Sequence, residues 1–592
     1  MIYHFRSGFF SILVTLLAIT GNAYGNLSID NPKESIKYWQ QFVVENSKNV
    51  ELAQETYQRL SRQWVLRNAS SPPGLYVITQ SDQAWAASLE DGNILLTQAA
   101  LNYILETGNV DQLAFVLSHE IAHQEKHRFE STKFRRLAQH SQSKLNEKIE
   151  KEADEDAIIK MAISGFDPFK IVYDDTFLKN WVENTWGISC TDVLENVSRV
   201  DLCVEADIRE TQLKNKLRTI AKRTLLFELG VQNLLAGQLM KARELFFAFE
   251  KDYPSHIVHD NIGQTYLLEA LSLTRHNNEK VFLPSILVNT KLDTLFRSKL
   301  KRHRSANQQR QVYSHNDVTT LSKKAEKYFR KALTISPNKK SVYHNILVSL
   351  VLQNKHKTAR ALLEEEFVFA ENPDFYHYLN AILFEAEGKY TKAANSLEYF
   401  IATLSNETSN INKPYYYSAV QYLSRIYQSA DENHRRIELW NKSVDNAIRA
   451  NDIYLFNQSV VEINNDIPRY VTSGNVNVIN QVMENEESFQ LQDTFWVNGE
   501  PYYFYLEPQT QAHIVTSKDK LIKYAWHRSF VTDRSIFDIT TGDQYDVPLK
   551  KYGMPDSKML THHGYALNYD QLGISFYVEN NIITGWFNYA IH

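Results

Sequence analysis

The chain has 592 residues, 43% of them hydrophobic, enough for several buried cores at ~100–200 residues per domain, which excludes wholesale disorder. Its 64 Lys and Arg against 69 Asp and Glu leave a formal net charge of −5, which excludes a broadly basic nucleic-acid binder and a strongly acidic tail protein. Only 19 Gly and 14 Pro punctuate the chain, too few for a turn-rich all-β architecture, so a mainly α fold is expected.

The first 25 residues read as a signal peptide rather than as fold. Arg6 stands without an acid in residues 1–7, residues 9–19 are an apolar run short of a bilayer span, and Ala23 and Gly25 are small where a signal peptidase reads. No Cys follows the run, so a lipoprotein signal is not expected; an uncleaved anchor is the alternative. No later stretch is long and apolar enough to cross a membrane. The expectation is an exported protein, periplasmic first and secreted second, with at most peripheral membrane contact.

The strongest chemical signal is His119-Glu120-Ile121-Ala122-His123, preceded by residues 111–117 with helical apolar spacing. Histidines at i and i+4 share one helix face ~5–6 Å apart, so two imidazole nitrogens can meet one Zn²⁺. Glu120 lies about 100° round the helix, where it can reach a water polarised by the ion but is badly placed to ligate first. The ion lowers the water's pKa and the carboxylate takes its proton, which is metal-assisted hydrolysis. His127 extends the same face and reads as a cleft-wall or surface residue, not a ligand.

A catalytic zinc wants a third protein ligand, and residues 150–156, EKEADED, offer acids. One carboxylate would ligate and another, one turn on, would accept the free N–H of a zinc-bound histidine. Glu150 with Asp154 and Glu152 with Asp156 are both four apart, so spacing alone leaves the choice open. Cys190 and Cys203 read as a disulfide in an oxidising compartment, worth about 3 kcal/mol for a ~15-residue loop; two free thiols are the alternative.

The combination of HEIAH, then Glu-x-Glu-Ala-Asp, then Gly165-Phe166-Asp167-Pro168 resembles the HtpX/BepA-type family of membrane-associated gluzincins. The resemblance spans about residues 35–185. It implies a gluzincin-type α+β metalloprotease domain over 26–210 that holds one Zn²⁺ on His119, His123 and Glu150. It makes Glu120 the catalytic base and Asp154 the supporting acid or proton donor. Residues 84–97 resemble the strand pair before the metal helix, with the edge strand over 93–97 expected to hold an extended peptide by main-chain hydrogen bonds. The family carries a His-Pro and a following Arg after this region; residues 186–215 hold no His-Pro, and Arg199 or Arg209 is the candidate for the Arg.

The middle of the chain resembles tetratricopeptide repeats. Ala325, Phe329, Ala332 and Pro337 carry the offsets of a second repeat helix, and steps of 34 reach Ala359 and Ala393. Leu229-Gly230, Gly237, Leu239, Ala242, Phe246 and Pro254 fit an earlier unit. This implies a TPR-like α-solenoid over 211–465 with a concave docking surface. Residues 297–304, RSKLKRHR, break the phase and read as a solvated basic insertion between two units, with anionic lipid contact as the sharper alternative.

From about 480 the texture alternates. Residues 495–505 and 574–586 each read as a strand, a turn and a strand, giving a small β-rich α+β accessory domain over 480–592. His562 and His563 have no acid or Cys at ligand spacing and read as loop residues. The expected function is an exported zinc endopeptidase acting on polypeptide substrates in envelope protein quality control. The alternative is a TPR-based periplasmic assembly factor for outer-membrane proteins with restrained proteolysis, whose partners are an outer-membrane protein or assembly machinery and not nucleic acid.

Overall fold

The computed structural model describes residues 36–44, 47–64, 74–79, 86–89, 91–106, 110–126, 143–186, 190, 197–276, 296–299, 315–336, 340–364, 373–405, 413–449, 483, 489–506, 512–527, 535–536, 539–553, 555–560, 564–579 and 581–589. The signal segment 1–25, His127, His562 and His563 lie outside the described residues. Most described residues are helical, with an antiparallel sheet towards the C-terminus, as the mainly α expectation has it. No helix among the described residues is long and apolar enough to cross a membrane. The chain divides into two units, residues 1–157 with 170–214, and residues 158–169 with 215–592.

In the first unit, helix α1 (Lys48–Trp64) opens on Ser47, whose Oγ accepts from the Val50 N–H at 3.3 Å. Its Val50, Ala53, Tyr57, Leu60 and Trp64 recur at helical spacing and are buried. Three strands follow: β1 (Leu75–Ile78), β2 (Ala86–Ser88) and β3 (Ile94–Thr97). The sheet order is β1-β3-β2, with β3 parallel to β1 and antiparallel to β2. All four residues of β3 are buried, the pattern of a strand covered on both faces. This corrects the expected edge strand: residues 94–97 are central, and the edge beside the metal helix is β2. The reason is β1, which claims the other side of β3. Val43 and the Val44 N–H bond to Val77 O in turn cover β1.

Thr97 Oγ1 accepts from the Ala100 N–H and starts α2 (Gln98–Glu106), which leads to α3 (Val110–Lys126). Residues Leu113, Ala114, Phe115, Val116 and Leu117 are all fully buried, so α3 is a central helix rather than a surface one. Helix α4 (Ser143–Ile163) carries the acidic run, and its last residues from Ile158 belong to the second unit. Helix α5 (Asp175–Trp186) is capped by Asp174, whose Oδ1 accepts from Phe177 N–H at 2.9 Å while Oδ2 accepts from Gln112 Nε2 of α3 at 2.7 Å. That one carboxylate fixes where α5 starts relative to α3. Cys190 and Cys203 form a disulfide, as expected.

Helix α6 (Val197–Ala236) runs from the first unit into the second. The helices after it each pack on the next: α7 (Leu239–Glu250), α8 (His256–His276), α9 (His315–Ile335), α10 (Lys340–Leu352), α11 (His356–Glu364), α12 (Pro373–Ala386), α13 (Tyr390–Ser405), α14 (Lys413–Ser429) and α15 (Asn433–Arg449). Close approach explains two glycines. A Cβ on Gly230 of α6 would stand 2.7 Å from the Phe246 ring of α7, and one on Gly263 of α8 would stand 2.5 Å from the Phe329 ring of α9. The basic insertion falls in sequence between α8 and α9, which pack on each other.

Part of that insertion is ordered as a strand. Phe296–Lys299 forms β4, which pairs antiparallel with β11 (Ser557–Leu560). The sheet therefore runs β4-β11-β12-β13-β14-β8-β7-β6-β5, with β5 (Gln490–Val497), β6 (Glu500–Leu506), β7 (Ala512–Thr516), β8 (Ile522–His527), β12 (Gly564–Tyr569), β13 (Ile574–Glu579) and β14 (Ile582–Tyr589). The expected strand pairs are β5–β6 and β13–β14. A short pair, β9 (Ser535–Ile536) and β10 (Ile539–Thr540), and α16 (Asp546–Tyr552) complete the region.

This sheet packs on α6 through a buried polar stripe. Trp526 Nε1 donates to Glu228 Oε1 at 3.0 Å, Tyr577 OH donates to Gln232 Oε1, and Asn568 Nδ2 donates to Leu235 O at 3.0 Å. Positions 228, 232 and 235 recur at helical spacing, so one face of α6 is matched to the sheet.

Candidate active site

The residues on one face of α3 and one face of α4 meet. His119 Nε2 lies 2.9 Å from His123 Nε2 and 3.2 Å from Glu150 Oε2, and His123 Nε2 lies 3.6 Å from that same oxygen. The three side chains form the only group among the described residues able to hold a metal ion. Donors arranged tetrahedrally at ~2.0–2.1 Å from an ion stand ~3.3–3.4 Å apart, so the observed separations fit a small divalent ion. Two ring nitrogens and a carboxylate oxygen this close need a cation between them, either a proton or a metal.

Asp154 is 1% exposed and sits one turn after Glu150. Its Oδ1 lies 2.9 Å from His119 Nδ1 and accepts from Trp181 Nε1 of α5, also at 2.9 Å. With Nδ1–H turned to the carboxylate, the Nε2 lone pair of His119 is left for the metal position. The Trp181 ring stands edge-on to His119 at 4.8 Å and to Phe115 at 5.3 Å, so it holds the imidazole from the side as well. Glu152 takes no part, since it pairs with Lys148 at 3.7 Å on the exposed side of α4. The geometry thus brings together His119, His123, Glu150 and Asp154 and leaves Glu152 out. Arg209, one of the two candidate replacements for the family arginine, is buried on α6.

Glu120 is buried beside the cluster and points to the sheet. Ser88 Oγ of β2 lies 2.8 Å from Glu120 Oε2 and 2.7 Å from Glu120 O. One turn along α3, Gln124 Nε2 donates to Gly92 O in the β2–β3 turn. The edge strand and the metal helix are therefore tied at two successive turns. Trp181 and Ser88 escaped sequence reasoning. Each is a single residue distant from the motif in sequence, and nothing local distinguishes either.

Burial alone would push the His119 imidazole down, but the hydrogen bonds and charges of Asp154 and Glu150 carry it up to about 10. Burial opposes ionisation of Glu150 too, and contact with His119 and His123 overcomes it, holding the carboxyl well below the usual range. The sign follows directly. In the metal-free chain the raised His119 value gives a contribution that is lost as pH rises through about 10, and the lowered Glu150 value gives one that is lost as pH falls below the ordinary carboxylate value of 4.5. A metal must displace the His119 proton throughout the neutral range. Metal affinity should therefore tighten by about tenfold per pH unit between pH ~6 and ~9, with proton release on binding. Calorimetry in two buffers of different ionisation enthalpy checks this, and a buffer-independent heat would contradict it.

Residues 50–166 match the model of peptidase family M48.

That span runs from the buried face of α1 through the sheet and α3 to the end of α4, and it contains every proposed ligand together with Glu120 and Asp154. The match supports metallopeptidase chemistry for this part of the chain, and the His-His-Glu group agrees with the metal dependence of such peptidases. No curated protein matches the chain.

Proposed function

We propose that the protein is an exported zinc endopeptidase whose helical array and C-terminal sheet serve selection of its polypeptide substrates. The observation that carries the reading is the convergence of His119, His123 and Glu150 with Asp154 behind His119 and Glu120 alongside. Zinc is the ion favoured by two imidazoles and one carboxylate at tetrahedral spacing with a position left open. When bound it supplies a Lewis acid that makes water acidic enough to be deprotonated near neutral pH.

The residues of this chain do the rest. An extended peptide adds through main-chain hydrogen bonds to the edge of β2 that no strand among the described residues pairs with, which is why the site needs no deep side-chain pocket to hold a substrate. Glu120 takes a proton from water as its oxygen attacks the scissile carbonyl carbon. The same carboxyl then gives that proton to the departing amine nitrogen as the C–N bond breaks. Asp154 and Trp181 keep the His119 ring in one tautomer and one orientation throughout.

The matching Gly230–Phe246 and Gly263–Phe329 contacts, with Ala242, Ala325, Ala359 and Ala393 all buried, support a TPR-like array of helix pairs. One face of its first helix, α6, is already occupied by the C-terminal sheet. Docking of an envelope partner therefore falls to the later pairs, α10 to α15. Periplasmic location and a role in envelope quality control rest on the N-terminal segment and on this domain order.

The test is metal analysis with a proteolysis assay on the full chain. One zinc per chain and hydrolysis of casein, lost with chelator and restored by zinc, is the expected result. A chain that binds no metal, or binds zinc without cutting any unfolded protein, would leave only a scaffold role.

A further inference from the structure

We propose that Ser88 is a positioning residue for Glu120, fixing the base in register with the strand to which the substrate adds; this deepens the peptidase reading and rests on it. Ser88 closes β2, the free edge of the three-stranded sheet among the described residues. Its single hydroxyl proton reaches two oxygens of one residue, Glu120 Oε2 at 2.8 Å and Glu120 O at 2.7 Å. A bond to a carboxylate is stronger than one between neutral groups, and the nearby main-chain oxygen keeps the hydroxyl on the same side. The Glu120 carboxylate is thereby held by one oxygen, and the other is left to take the proton from water.

The geometry does something that a bond from elsewhere would not do. A peptide added to β2 takes its register from the backbone of Ala86, Ala87 and Ser88, and the side chain of that last residue holds the base. Substrate and base then share one reference point. The Gln124 bond to Gly92 O keeps the following turn against α3, so the strand cannot tilt away from the helix without breaking both ties. Small displacements of reacting groups cost large factors in rate, which gives a lone hydroxyl leverage here.

The experiment compares Ser88→Ala and Ser88→Thr with wild type in the zinc-loaded full chain. Ser88→Ala should lower kcat by about 10-fold with KM and zinc content unchanged, because the backbone that binds the peptide is intact. Ser88→Thr, which keeps the hydroxyl and suits a strand, should retain most of kcat. Unchanged kcat in Ser88→Ala, an effect on KM alone, or equal impairment of both variants would overturn the proposal. A second readout needs no activity: in the metal-free protein, thermal unfolding of Ser88→Ala, Glu120→Ala and the double variant should be non-additive. Additivity would also overturn it. Wild type without hydrolysis would instead strike at the peptidase reading, and the unfolding cycle would still report on the Ser88–Glu120 bond.

Discussion

Replacing Glu120 by Gln should lower kcat by about 10²–10⁴-fold while metal content stays at the wild-type level. The amide keeps the size of the side chain and can still accept from Ser88 Oγ, so the β2 edge and the metal helix remain tied. What the amide cannot do is take a proton from water. None of the three ligand atoms belongs to Glu120, so the metal has no reason to leave. Turnover and metal content measured on the same preparation check the expectation, and near-normal turnover would remove Glu120 from the reaction.

Glu150→Ala should weaken metal binding by more than ~100-fold, whereas loss of a residue that only supports a ligand costs ~10–100-fold. Asp154→Ala belongs to the second class and Glu152→Ala to neither. The reasons are geometric. Glu150 Oε2 is 3.2 Å and 3.6 Å from the two histidine Nε2 atoms, Asp154 meets the far nitrogen of His119 rather than the one facing the metal position, and Glu152 pairs with Lys148. Competition against a chromophoric chelator gives the three affinities directly. If Glu152→Ala loses metal and Glu150→Ala keeps it, α4 is turned relative to α3 and Asp156 becomes the supporting acid.

The choice between these two acidic pairs shows where sequence reasoning ends. The histidine pair was legible because its geometry is local to one helix turn. The acids obey the same local rule in two registers, and only the packing of α4 decides between them. Ala153, Ala157 and Met161, all fully buried, continue the face of Glu150 and Asp154 and were the available clue. The edge strand was misplaced for a related reason. Residues 94–97 read as a strand from Ile94, Leu95 and Leu96, but their neighbour β1 lies some 20 residues earlier and carries no turn signal linking the two. The repeat helices were visible from small residues at fixed offsets, since Gly230, Ala242 and Phe246 report on close packing within a pair. Their match to the sheet through Glu228 and Gln232 was not, because polar residues on a helix read as a solvated face until the partner 300 residues on is seen.

Strand β4 also sets a timetable. Its Arg297 pairs with Met559, about 260 residues later in the chain. At ~5–20 residues synthesised per second, the strand would wait roughly 15–50 s before its partner exists. During that wait the helix pair around it can close, since its contacts are present, but Phe296–Lys299 remains an unpaired edge. The pairing of β4 therefore depends on the far end of the chain, and a chain truncated before residue 557 leaves β4 without the strand it pairs with.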